Sequence, residues 1–82
     1  MNYVETVADL FQTRSGLAML SVADYILLAE WEKEEIPLAV VMNSINKGFD
    51  KAENLADVNS IGHFQEIIRA SFAKSLQAQI GT

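Results

Sequence analysis

His63 and Glu66, three apart in the stretch IGHFQE, are the residues of this chain best spaced to pass a proton or share a metal ion. A spacing of three puts both on one face of a helix. A zinc shell takes about four ligands drawn from cysteine, histidine and carboxylates. This chain has one histidine and no cysteine. Nucleophilic catalysis would need a serine or threonine activated by His63 and oriented by a carboxylate. No serine stands in a Gly-x-Ser-x-Gly turn, and the scattered glycines form no phosphate-binding loop. The pair reads as a partly exposed histidine near a helix start, beside a surface acid. Neither an enzyme nor a cofactor or metal site is expected.

Charge and aromatic character supply the remaining chemistry. Glu30, Glu32, Glu34 and Glu35 crowd one short stretch. Clustered carboxylates can invite a cation or a basic partner, yet near a helix C-terminus they oppose the dipole and read as a solvated face. Lys47 and Lys51 lie four apart on one helix face, and Arg69 and Lys74 follow. These four cations are the candidate phosphate contacts. Trp31, the single tryptophan, reads as core, with an aromatic anchor on a contact surface as the alternative. Tyr3 and Phe11 join it as candidate partner contacts.

Composition bounds what these residues can do. Eighty-two residues make one domain, half of them hydrophobic. That is generous for a domain that buries only about 60–65% of its unfolded surface, so apolar surface is left over for a partner. The absence of cysteine fits a reducing compartment. No signal sequence opens the chain, and no apolar run reaches the roughly 20 residues that span a bilayer, so a cytoplasmic protein is expected. The net charge of −5 is uneven: residues 1–35 carry seven acids against two cations, and residues 36–82 carry four of each. An acidic front half repels phosphate and disfavours sequence-independent nucleic-acid binding. A basic face in the second half remains open.

The elements that must position these groups are helices. Asn2 with Glu5 three residues on caps a first helix to about Arg14, apolar at Val4, Val7, Leu10 and Phe11, and Gly16 ends it. Leu17 to Leu20 reads as a buried connector. Ser21, with Asp24 in the capping-box position, starts a second helix over Val22 to Glu34. That helix is apolar nearly all round, which predicts a central place in the bundle. Pro37 lacks a donor, suits the first turn of a third helix, and drives Ile36 out of the helical region. The stripe Leu38, Val41, Met42, Ile45 and Phe49 carries this third helix to about Ala52, with Gly48 either ending it early or serving a close contact. A polar connection follows, anchored by Leu55 and Val58. Asn59 or Ser60 caps a fourth helix whose stripe runs through Ile61, Phe64, Ile68, Phe72, Leu76 and Ile80 to Gly81. Gly62 in its first turn is expected to permit close approach of a neighbour.

Leu20-Ser21-x-x-Asp24-Tyr25, followed by Trp31 and by Ile36-Pro37-Leu38-x-x-Val41 with Ile45 after it, resembles a helical domain of uncharacterised bacterial proteins. That family has a Leu-Ser-x-x-Asp-Trp start and a Gly-Ile-Pro-Leu corner. Asn59-Ser60-Ile61-x-His63-Phe64 is similar to its later Asn-Ser-Leu-x-Tyr stretch. More distantly, the arrangement resembles the helical C-terminal domain of DnaD/DnaB-type primosome proteins. The resemblance spans about residues 17–76 and implies a helical fold. In this chain Glu35 replaces the usual glycine and Tyr25 the usual tryptophan. The strongly basic character and C-terminal tail expected of a DNA-binding member are absent.

Together these readings predict an all-α, four-helix domain over residues 1–82, built on a helical hairpin with a proline corner. The expected function is a non-enzymatic interaction or assembly module. It would self-associate as a homodimer, or bind another protein, through apolar surface on the first or last helix. The alternative is a nucleic-acid-associated module of the replication-initiation type, using Lys47, Lys51, Arg69 and Lys74. No membrane partner is expected.

Overall fold

The computed structural model of the chain describes residues 2–54 and 58–80. Four α-helices follow one another: α1 Tyr3–Ser15, α2 Val22–Lys33, α3 Leu38–Lys51 and α4 Gln65–Ile80. A 3-10 turn over Ile61–Phe64 leads directly into α4. Among the described residues there is no strand. Leu55 and Gly81, expected as an anchor and a helix end, lie outside the described residues.

Local chemistry sets the helix ends. The Asn2 side chain accepts from the Glu5 N–H at 2.8 Å. Gly16, at φ 78°, closes α1 by donating its N–H to the Gln12 carbonyl, a left-handed position that glycine occupies without steric cost. The Ser21 hydroxyl accepts from the Asp24 N–H, and the Asp24 carboxylate accepts from the Ser21 N–H at 3.1 Å. The expected capping box is therefore complete. The C-terminus of α2 winds down through Glu35 N–H to Glu32 O at 3.0 Å and Ile36 N–H to Trp31 O at 3.1 Å. This is a Schellman closure, and it places Glu35 at φ 61°. Ile36 and Trp31, whose backbones it joins, are both buried in the core. Pro37 stands just outside α3, with ψ 139°, rather than in its first turn.

The core gathers Val7, Phe11, Leu28, Trp31, Ile36, Val41, Ile45, Phe49, Ile61, Phe64 and Ile68. At its centre Phe11, Phe49 and Phe64 form a ring trio with centroids 4.9 to 6.1 Å apart, the separation at which tilted and edge-on rings attract. Gly48 is helical, so it does not end α3. A Cβ there would collide with Cδ1 and Cε1 of Phe64. Gly62, by contrast, has ordinary van der Waals room, its nearest neighbour being Ser60 Oγ at 3.6 Å from a built Cβ. No close approach depends on it.

The packing partners differ from expectation in one respect. The central helix is α3, which packs on α1, on α4 and on the 3-10 turn, while the principal partners of α2 are α1 and that turn. Only Asp24, Leu28 and Trp31 of α2 are buried. Its wide apolar arc thus reflects one face in the core and a second face that no described element covers. Likewise the stripe on α4 leaves the core after Phe72: that ring is half-buried and Leu76 is exposed.

Candidate functional site

The expected partner contacts must be corrected first. Trp31 and Phe11 are wholly buried, each at 0% exposure. Fully enclosed side chains offer nothing to a partner, so both are core residues. Trp31 Nε1 is buried with no hydrogen-bond partner among the described residues, a cost the surrounding apolar packing must offset. Tyr3 is half-buried, and its hydroxyl donates to the Ile36 carbonyl at 2.8 Å. It braces the proline corner instead of presenting a free edge. Burial, then the negative charge of Glu32, pushes the Tyr3 hydroxyl up to about 12.

The exposed apolar surface lies on α2, not on the first helix. Met19 and Val22 are each 76% exposed, Ile26 56% and Tyr25 42%. Ala29 and Lys33 are exposed as well. Within α2, positions 22, 26, 29 and 33 alternate spacings of four and three, and Met19 stands just before the helix. That is the a/d spacing by which one helix packs along another. Small Ala29 would let a partner helix approach closely. On the last helix the exposed large apolar residue is Leu76, at 42%. The sequence missed this face because α2 has apolar residues on both sides, and periodicity alone does not say which side the fold covers.

A second feature lies between α3 and α4. A groove of about 190 Å³ is lined by Lys47, Lys51, Ile67, Ala70, Ser71 and Lys74. Three of the four cations expected to act together are thus brought together. Arg69 is not among them. Its guanidinium donates to both carboxylate oxygens of Glu34, at 3.2 and 3.1 Å, and this pair ties α4 to the end of α2. Arg14 is also engaged, pairing with Asp50 at 2.8 Å and lying over the Phe49 ring.

His63 is exposed and edge-on to Phe64, its ring centroid 5.3 Å away. Among the described residues it gathers no cluster of three potential metal ligands with Glu66 or any other acid.

Asp24 carries a role that the cap alone does not reveal. Its Oδ1 accepts from the Ser60 hydroxyl at 2.8 Å and from the Ile61 N–H at 3.2 Å. One carboxylate therefore caps α2 and receives the first residues of the 3-10 turn. Burial alone would raise its pKa. The bonds from Ser60, Ser21 and Ile61 together outweigh burial and hold it below the usual carboxylate value. This pins the N-terminal end of the exposed α2 face to the α4 segment.

Comparison of the chain with protein-family models, curated proteins and solved structures gave no match. No helix among the described residues is long and apolar enough to cross a membrane.

Proposed function

We propose that this protein is a non-enzymatic, cytoplasmic interaction module that pairs with a second copy of itself through the outer face of α2. The observation that carries the reading is the exposed run Val22, Ile26 and Ala29 on α2, with Tyr25 beside it and Met19 just before the helix. A face with this spacing is self-complementary. Glu30, Glu32, Glu34 and Glu35 crowd the C-terminal end of the helix. A parallel pair would set these acids against each other. An antiparallel pair puts them beside the positive N-terminal end of the partner helix, which favours that orientation. Five side chains cover less than the roughly 800 Å² per partner of a standard interface, so association is expected to be weak and concentration-dependent.

Sedimentation equilibrium over a wide concentration range tests this. Wild-type chain should shift from monomer toward dimer, and Ile26→Glu should stay monomeric while remaining folded. A strict monomer at every concentration would refute self-association.

A second reading, a nucleic-acid-associated module, has one observation behind it: Lys47, Lys51 and Lys74 share a groove. The net charge of −5 and the pairing of Arg69 with Glu34 weigh against it. Binding to labelled DNA that weakens steeply with salt and is lost on Lys47→Glu or Lys51→Glu would favour it.

A further inference from the structure

We propose that the groove between α3 and α4 is a binding site for a compact, multiply charged phosphoanion of the pyrophosphate type. The site is independent of the α2 face. Three ammonium groups from two helices line one concavity, and among the described residues no carboxylate lines it with them. None of the three forms an ion pair with a described residue. Lys47 and Lys51 are four apart on α3, a like-charge spacing that is mildly unfavourable in an empty groove. An anion between them and Lys74 reverses that sign.

The arrangement matters more because the chain as a whole is acidic. Eleven acids stand against six cations, and three of those six line this groove. The other three are Arg14, Lys33 and Arg69, of which Arg14 and Arg69 are committed to Asp50 and Glu34. A long polyanion would extend from the groove over surface dominated by carboxylates. A compact anion sits against the three lysines, and charges beyond about 8–10 Å are screened at physiological salt.

Size and lining select further. A volume of about 190 Å³ falls below the roughly 300–1,000 Å³ of pockets that enclose organic ligands. A group with two linked phosphates is of the right scale. The Ser71 hydroxyl can donate to one anion oxygen while the lysines take the others. Ile67 and Ala70 complete the wall without adding a competing charge. Lysine ammoniums suit this ligand as flexible point charges, which need no planar bidentate geometry.

Calorimetric titration of the full chain with inorganic pyrophosphate, together with amide chemical-shift mapping, tests the site. Near-stoichiometric binding is expected, with shifts centred on residues 47–51 and 67–74. Lys74→Ala and Lys47→Ala should each weaken binding by about tenfold, as charge-assisted contacts do. Arg69→Ala makes the same change in net charge outside the groove and should leave pyrophosphate affinity within about twofold, since it removes no contact to the anion. Circular dichroism checks that each variant is folded. No binding at millimolar pyrophosphate would overturn the proposal. So would equal weakening by Arg69→Ala and Lys74→Ala, or binding confined to oligonucleotides with shifts spread beyond the groove.

Discussion

The carboxylate of Asp24 accepts a hydrogen bond from the Ser60 hydroxyl at 2.8 Å, across 36 positions of sequence. The same side chain caps α2 through Ser21, so the start of α2 and the start of the 3-10 turn share a single buried acceptor. Domains of this size have only about 0.05–0.15 kcal/mol of stability per residue. A buried acceptor serving three donors is therefore a large part of the whole.

Asp24→Ala is expected to destabilise the fold by about 2–3 kcal/mol, the cost of leaving buried donors without an acceptor. Its pH signature is specific. A carboxyl with a lowered folded pKa contributes stability that is complete above its ordinary value of 3.8 and is lost as pH falls through the folded value. The stability difference between wild type and Asp24→Asn should therefore be constant near neutrality and shrink below that pH. Urea unfolding at a series of pH values measures it.

Tyr3→Phe removes the donor to the Ile36 carbonyl and should cost about 1 kcal/mol in denaturant unfolding. Here the sign reverses. A phenol whose pKa is pushed from 10.0 to about 12 contributes stability that is complete below 10 and is lost as pH rises toward 12. Alkaline unfolding of wild type should converge on that of Tyr3→Phe across this window.

Glu35→Gly should stabilise the protein by about 0.5–1 kcal/mol. Glu35 holds φ 61°, which costs a residue with a Cβ about 1–2 kcal/mol, partly offset by the extra freedom glycine gives the unfolded chain. Glu35→Ala removes the same charge and keeps the backbone cost, so it should not match the gain in thermal midpoint.

Gly48→Ala should destabilise by about 1–3 kcal/mol, the usual cost of overpacking, although alanine is the better helix former. The added methyl meets Phe64, which is held by Phe11 and Phe49 and has little room to retreat. Thermal unfolding followed by circular dichroism reads this directly.

What the sequence made legible was what is local in it. Asn2, Gly16, Ser21 and Ser60 each act within three or four residues of their own position, and each end was readable from residue type. The proline corner was readable for the same reason. Pairings between distant segments were not. Nothing in the spacing of Asp24, Arg69 or Glu34 names Ser60, Glu34 or Arg69 as a partner, because the fold rather than the period sets those contacts. For α2 the limit was physical. A helix apolar on both sides can be central, or it can bury one side and offer the other, and the cover given by α1 and the 3-10 turn decides between them. The lysine groove was half legible: Lys47 and Lys51 share a face by spacing, while Lys74 joins them, and Arg69 leaves them, only through the packing of α4 on α3.

The α2 pairing can be tested at a single position, because the chain contains no cysteine and an introduced one is unique. Near the crossing point of an antiparallel pair, a residue of the seam faces its own copy. Ile26→Cys under mild oxidation should give a covalent dimer rapidly and in high yield, and Leu76→Cys on α4 should not. Equal, slow cross-linking at both positions, or none at position 26, would contradict the account.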